Sequence, residues 1–145
     1  MGNAFGGAVL MNYVGHAGYD NLAAENLLTT SGARSLQNSP RLPVLTALSC
    51  VVGQYGEIGK DHMAEALVNN ASGGAIAVVA PTGMMINADS VRLGEQLFGK
   101  LFAQHSIRLG EAVRIAMAEY AQAGGTLLVL QSYNLLGDPA LMFNW

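Results

Sequence analysis

The chain has 145 residues, of which 51% are hydrophobic and 12% are charged, and its formal net charge is −3. This composition excludes an intrinsically disordered chain and predicts a single domain, residues 1–145, with a hydrophobic core. The charge leaves no basic surface for nucleic acid. The longest apolar stretches, about ten residues, are too short to span a membrane. The one cysteine, Cys50, excludes an internal disulfide.

The first third of the chain contains two predicted strands. Residues 7–14, "GAVLMNYV", and residues 43–49, "PVLTALS", are short and almost continuously apolar. Continuous apolarity without alternation is typical of strands that are covered on both faces. Between them, residues 20–30 predict a short helix with Asp20 as its N-cap, and the turn-rich residues 29–43 predict a loop.

The middle of the chain continues the alternation of helix and strand. Asp61 is the predicted N-cap of a helix over residues 62–70, whose apolar residues have helical spacing. Residues 73–81, "GGAIAVVAP", predict a third buried strand that Pro81 ends. Asp89 is the predicted N-cap of the following helix.

The last third predicts a helix over residues 109–120 that ends at Gly124–Gly125. Residues 126–141 are ambiguous, because they fit a strand but favour a helix followed by a turn at Gly137–Asp138–Pro139. The alternation of strands and helices indicates an α/β domain with a largely parallel sheet.

His16 and Cys50 follow the first two predicted strands directly. The 34 residues between them are enough for one parallel crossover connection. Ligands of parallel sheets bind outside the carboxyl ends of the strands, and neighbouring strands lie about 5 Å apart. If these two strands are neighbours, both side chains emerge at the same edge of the sheet.

An imidazole beside a thiol can take its proton and produce a strong nucleophile. The backbone N–H of Cys50 and one from residues 16–18 are candidates to stabilise the oxyanion that forms when sulfur attacks a carbonyl. This pattern indicates acyl transfer, meaning peptide hydrolysis through a thioester. The alternative is structural: a lone cysteine at a strand end is often a small buried hydrophobe, and a lone histidine near glycines often has no chemical role.

Five sequence blocks resemble gingipain-like cysteine peptidases, which have a caspase-like fold: "NYVGHAG", "LPVLTALSCVVGQYG", "SGGAIAVVAPTG", "LGEAVRIAMAEY" and "NLLGDPAL". The resemblance implies a three-layer α/β sandwich with a mainly parallel sheet. It also implies a catalytic dyad, with His16 as base and proton shuttle and Cys50 as nucleophile. The oxyanion hole would be formed by the N–H groups of Ala17 and Cys50. No cofactor or metal is implied.

The chain departs from the family pattern in two places. Ala17 stands where the family usually has glycine, so a glycine-only backbone conformation would be strained there. The resemblance also implies that the chain is the C-terminal part of a catalytic domain and lacks the first strands of the sheet. The exposed edge would then pair with the missing N-terminal part or with another chain.

By position in the family pattern, an apolar set of residues would line the primary substrate pocket: Val14, Leu48, Thr82, Met84 and Met85. Packing within a loop and the core is the alternative role of these side chains, because methionine often fills irregular gaps. His62 and His105 lie in or beside predicted helices, and we interpret both as structural.

Two functions follow from the sequence. The first is a cysteine endopeptidase acting on peptide or protein substrates. The second is a catalytically inactive caspase-like module that acts in protein interaction or assembly. A related enzyme group, the bacterial effector peptidases of the broader caspase-like class, has its own histidine–glycine and "SC" layout, but "LLGDPAL" favours the gingipain side. The resemblance further implies a secreted or cell-surface protein.

Overall fold

The computed structural model of the protein describes residues 2–144. A four-stranded sheet forms its centre, and helices and two short two-stranded ribbons surround it. In chain order the elements are α1 (Gly2–Phe5), β1 (Leu10–Val14), β2 (Asn21–Leu22), β3 (Leu28–Thr29), α2 (Thr30–Arg34), β4 (Val44–Leu48), α3 (Met63–Val68), β5 (Ala77–Pro81), α4 (Asn87–Ala103), β6 (Ser106–Arg108), α5 (Leu109–Gln122), α6 (Leu127–Ser132), β7 (Tyr133–Gly137) and β8 (Met142–Asn144).

The central sheet has the strand order β1-β4-β5-β7. Strands β1, β4 and β5 are parallel, whereas β7 pairs antiparallel with β5. Every residue of β4 and of β5 is buried, as continuous apolar strands require. The prediction of an α/β domain with a mainly parallel sheet is confirmed. The antiparallel strand β7 lies at one edge, which a mainly parallel sheet allows.

The sheet separates two hydrophobic cores, because successive side chains of a strand point to opposite faces. Leu45 and Ala47 of β4 pack into the first core with residues of α3 and with Leu22 and Leu28. Val44 and Leu48 pack into the second core with residues of α4 and α5. The three-layer arrangement that the sequence led us to expect is therefore present.

The prediction of a helix over residues 20–30 is wrong, because this segment forms the antiparallel hairpin of β2 and β3. The side-chain amide of Asn21 donates to the carbonyl of Ala23 and to the side chain of Asn26, at 3.0 and 2.8 Å. Ala23 and Asn26 both have positive φ, 60° and 53°, a conformation that ends helical geometry. The two asparagines therefore close a turn, and Asp20 is not a helix cap.

Residues 29–43, predicted as a loop, contain the short helix α2. Its N-cap is Thr29, whose hydroxyl accepts a hydrogen bond from the N–H of Gly32 at 3.1 Å. A glycine in the middle of a five-residue helix lowers helix propensity, so the sequence pattern did not indicate it.

Two predicted helix caps are displaced. Helix α3 begins at Met63 with His62 as N-cap, and Asp61 instead pairs with Arg34 at 3.0 Å. Helix α4 begins at Asn87, so Asp89 lies in the first turn of the helix rather than before it. Acidic residues are favourable in that turn because the helix N-terminus carries partial positive charge.

The ambiguous residues 126–141 contain both structures. Helix α6 comes first, and β7 follows without a break. Asp138 forms the turn that ends β7, because its carboxylate accepts from the N–H of Ala140 at 2.8 Å. The ribbon of β6 and β8 was not indicated by the sequence pattern, since its strands are only three residues long.

Candidate functional site

His16 and Cys50 follow neighbouring parallel strands at the same register. In the pairing of β1 with β4, Val14 lies opposite Leu48 in the last aligned pair. His16 and Cys50 each come two residues after that pair. Adjacent strands lie about 5 Å apart, so both residues leave the sheet at one edge. His16 is exposed and Cys50 is partly exposed, so solvent reaches this edge.

The backbone at His16 is held from two sides although the residue is exposed. The carbonyl of His16 accepts from the hydroxyl of Tyr13 at 2.5 Å and from the N–H of Ala23 at 2.9 Å. Gly15 makes the first contact possible, because a Cβ there would lie 2.9 Å from the Tyr13 hydroxyl. Burial raises the pKa of Tyr13, which keeps its hydroxyl protonated and able to donate.

Ala17 is not strained in the way the sequence led us to expect. Among the described residues other than glycine, positive φ occurs at Ala23, Asn26 and Val51, and not at Ala17. Ala17 instead forms an antiparallel bridge with Leu22. The hydrogen bonds of this bridge come from the N–H groups of Gly18 and Ala23, which leaves the N–H of Ala17 outside it.

The sulfur of Cys50 contacts the backbone of Met85, in the segment that connects β5 to α4. The N–H of Met85 donates to Sγ at 3.4 Å, and the S–H donates to the Met85 carbonyl at 3.6 Å. Within residues 2–144, no hydrogen bond joins Sγ to the His16 imidazole. Helix α4 begins two residues after Met85. The Met85 backbone therefore fixes the position of the sulfur beside the segment that leads into α4.

Val51, directly after Cys50, has an unusual backbone conformation. Its φ is 45°, although a β-branched side chain is rare in that region and costs roughly 1–3 kcal/mol. Its N–H donates to the carbonyl of Gly83 at 3.0 Å, and its side chain is buried. The chain therefore turns sharply at the end of β4, and the loop that follows β5 holds this turn in place.

Gly53 brings this turn against β5, which leads to a stability prediction. A Cβ at Gly53 would lie 2.7 Å from the backbone oxygen of Ala80, and neither backbone can easily move. We expect Gly53→Ala to lower the free energy of unfolding by about 1–3 kcal/mol, measured by urea denaturation. Gly56→Ala is the matched control, because its nearest contact would be the end of the Gln54 side chain at 3.8 Å. Equal stability of the two variants would contradict this packing.

The predicted pocket residues divide into two groups. Val14 and Met84 are exposed by 47% and 72%, and Met85 is partly buried beside the sulfur. Thr82 is tied to the carbonyl of Ser132 through both its N–H and its hydroxyl, at 2.9 and 3.1 Å. Leu48, by contrast, is buried. Its side chain packs against helix α4, where a Cβ at Gly94 would lie 2.4 Å from it.

Behind Cys50, a buried tyrosine contacts the end of β4, and the sequence pattern gave no signal of it. The hydroxyl of Tyr133 donates to the carbonyl of Ala47 at 3.4 Å. Burial raises the pKa of Tyr133 to about 12, against the opposing effects of the Ser90 side chain and the backbone of Ser49. The hydroxyls of Ser49 and Ser90 are buried and have no hydrogen-bond partner among the described residues.

The pKa of Tyr133 makes the protein less stable in alkali. Its ordinary pKa is 10.0 and its folded value is about 12, so between these values the unfolded chain releases a proton that the folded chain keeps. We expect the free energy of unfolding to be unaffected by this group below about pH 10 and to fall by up to about 3 kcal/mol towards pH 12. Urea denaturation of wild type and Tyr133→Phe from about pH 9 to about pH 12, a range that spans both pKa values, measures how much stability this residue costs in alkali. A parallel decline in both proteins would exclude this contribution.

His62 is buried, with 2% of its surface exposed. Its Nε2 is 3.2 Å from the Glu57 carboxylate without hydrogen-bond alignment, and its ring contacts that of Tyr19 at 5.4 Å between centroids. These contacts agree with a structural role. In the described part of the chain, no group of three or more His, Cys, Asp or Glu side chains could hold a metal ion. No helix there is long and apolar enough to cross a membrane.

Comparison with known proteins places this geometry in context. The family model "Peptidase family C25" matches residues 3–144. No curated protein matches. The crystal structure of the Arg-specific cysteine proteinase gingipain R is 24% identical with a TM-score of 0.80, over 97% of this chain and 35% of that chain. The complex of the pro- and mature domains of Porphyromonas gingivalis RgpB is 22% identical with a TM-score of 0.81, over the same shares of both chains. A structure described as a protease is 17% identical with a TM-score of 0.76, over 92% of this chain and 35% of that chain. The chain thus spans about a third of the length of these solved structures.

Proposed function

Because the chain belongs to peptidase family C25, we propose that it is a cysteine endopeptidase with His16 and Cys50 as its catalytic dyad. The observation that carries this proposal is the register of β1 and β4, in which the two residues follow Val14 and Leu48 by the same number of residues. An imidazole and a thiol that leave adjacent strands at one solvent-exposed edge are the two groups that this chemistry requires.

The proposed reaction begins with transfer of the Sγ proton from Cys50 to the His16 imidazole. The thiolate then attacks the carbonyl carbon of the substrate peptide, and the oxyanion forms beside the N–H groups of Ala17 and Cys50. His16 returns its proton to the leaving amine as the C–N bond breaks and the thioester remains. Water, deprotonated by His16, hydrolyses the thioester and releases the acid and the free thiol.

The contact of Cys50 with Met85 supports the first step. In the neutral thiol the S–H donates to the Met85 carbonyl, and the Met85 N–H donates to the sulfur. Loss of the proton removes the first bond and strengthens the second, because a charged acceptor forms a stronger hydrogen bond. The thiolate is thus held by the Met85 N–H while it faces the substrate.

The side chains beside the dyad favour an apolar substrate residue. Val14 and Met84 are exposed, and Met85 adjoins the sulfur. Thr82, bonded to Ser132, would form the polar margin of this pocket. We leave Leu48 out of the proposed pocket because its side chain is 4% exposed and packs towards α4. The proposed substrate class is therefore a peptide with an aliphatic residue before the cleaved bond.

The second candidate, a catalytically inactive module for protein interaction, draws on the edge strand. In the part of the chain that the structure describes, β1 has a strand neighbour on one side only. Val9, directly before this strand, and Val14, its last residue, are 59% and 47% exposed. An open strand edge with apolar side chains is suited to pairing with another strand. The peptidase proposal also includes pairing of another strand with β1. It also includes secretion of the protein or its display at the cell surface.

Covalent labelling tests the peptidase proposal against this alternative. A peptidyl acyloxymethyl ketone with leucine next to the reactive group should label the native protein once, at Cys50, as located by peptide mass spectrometry. His16→Ala should label at least about a hundredfold more slowly. An inactive module would remain unlabelled when native, although iodoacetamide labels its denatured chain. Labelling of wild type and His16→Ala at equal rates would also contradict the dyad.

A further inference from the structure

Tyr133 reaches the end of β4 from the opposite side of the neighbouring strand. It begins β7 and pairs with Pro81 at the end of β5. Its side chain extends across β5, and its hydroxyl donates to the carbonyl of Ala47, three residues before Cys50. The residue is 3% exposed and belongs to the core that packs against α4 and α5.

The sheet leaves this carbonyl available because its two ladders end at different points. The pairing of β4 with β5 ends at Thr46 and Val79, whereas the pairing of β1 with β4 continues to Val14 and Leu48. Ala47 therefore lies beyond the last aligned pair with β5. A buried carbonyl without a partner is costly, and the Tyr133 hydroxyl supplies the partner.

Two further groups place the phenol next to the turn that carries Cys50. The side chain of Ser90 and the backbone of Ser49 both lower the pKa of the Tyr133 hydroxyl. A negative charge on Cys50 is close enough to raise that pKa. The Ser90 hydroxyl is near enough to lower the pKa of the phenol, but it has no hydrogen-bond partner among the described residues. The phenol thus contacts the main chain on the N-terminal side of Cys50.

The conformation of the turn requires such support. Val51 holds a positive φ of 45°, which persists only where the surroundings fix it. The loop after β5 fixes the C-terminal side, through the bond from the Val51 N–H to the Gly83 carbonyl. Apart from Tyr133, the core side chains that surround the end of β4 are largely aliphatic. On the N-terminal side of the turn, the hydrogen bond from Tyr133 to the Ala47 carbonyl can hold the backbone in place.

We propose that Tyr133 is a positioning residue for the nucleophile, whose hydroxyl bond to the Ala47 carbonyl holds the turn that presents the Cys50 sulfur and N–H. This inference rests on the proposed peptidase function. Tyr133 does not touch substrate. It sets the backbone from which Sγ reaches the scissile carbonyl and from which the Cys50 N–H reaches the oxyanion.

Tyr133→Phe tests the inference because it removes one oxygen and keeps the ring. We expect a kcat about tenfold lower with KM changed less than about twofold, since a misplaced nucleophile affects the reaction more than binding. We also expect alkylation of Cys50 by iodoacetamide to slow several-fold at about pH 6, with a changed pH profile. Tyr120→Phe is the matched control. Tyr120 is 1% exposed in the same core, but its hydroxyl bonds to Thr126.

The two variants separate positioning from general stability. Both should lower the urea midpoint by similar amounts, and only Tyr133→Phe should change kcat and the alkylation profile. If Tyr133→Phe matches Tyr120→Phe and wild type in both, the inference is overturned. The alkylation measurement does not need peptidase activity. A wild type that cleaves no peptide, but whose Cys50 reactivity changes in Tyr133→Phe alone, would refute the proposed function and still support the positioning role.

Discussion

Replacement of Cys50 by alanine should reduce peptide hydrolysis by about 10⁴-fold or more, because the reaction loses the atom that forms the thioester. The fold should survive, since Cys50 is partly exposed and its sulfur makes hydrogen bonds only to the backbone of Met85 among the described residues. Hydrolysis of leucine-containing peptide substrates, followed by mass spectrometry, measures the loss. Urea denaturation of the same samples verifies that the variant is folded.

Cys50→Ser is the control that keeps a polar group in place. A serine hydroxyl can still contact Met85, but it is a much weaker nucleophile than a thiolate at neutral pH. We therefore expect Cys50→Ser to retain stability and to lose nearly as much activity as Cys50→Ala. Activity within about tenfold of wild type in either variant would show that hydrolysis proceeds without the sulfur.

Replacement of His16 by alanine should lower kcat by about 10³-fold and leave KM within a few-fold of wild type. The residue is exposed, and its backbone carbonyl, not its side chain, accepts the bonds from Tyr13 and Ala23. Alanine keeps that carbonyl, so the loop should keep its conformation while the base is lost. Steady-state kinetics on the same peptides measures both constants.

His105→Ala is the matched control, because His105 is also exposed and follows helix α4. We expect this variant to retain the wild-type kcat. An equal loss in both variants would indicate a general effect of removing an imidazole, and wild-type activity in His16→Ala would exclude His16 as the base.

The sequence allowed the centre of the fold to be predicted because burial on both faces leaves a local signature. Strands β4 and β5 are buried at every position and almost continuously apolar, and that pattern alone indicates a covered parallel sheet. The hairpin of β2 and β3 has no such signature. Its strands have two residues each, and the hydrogen bonds of the Asn21 side chain decide its turn. The strand β7 depends on pairing with β5, some fifty residues earlier, which no local pattern encodes.

For the candidate site, the residue types and their places after strands were sufficient to select His16 and Cys50. The conformation around them was not predictable, because it depends on contacts between distant segments. Met85 meets the sulfur from a loop 35 residues later, and Tyr133 reaches Ala47 over 86 residues. The positive φ of Val51 contradicts the local preference of valine and follows from the loop packed around it. For Leu48 the buried-strand pattern of residues 43–49 and the family position pointed to different roles, and the structure places its side chain in the core.

The rate at which iodoacetamide alkylates Cys50, measured from about pH 5 to 9 in wild type and in His16→Ala, tests most directly whether a proton passes between the two side chains. Cys50 is the only cysteine, so the added mass reports one site. In wild type we predict fast alkylation that persists below about pH 7, and in His16→Ala a rate at least about tenfold lower at about pH 6. Superimposable pH profiles of the two proteins would mean that the imidazole does not act on the sulfur, and would contradict the proposed dyad.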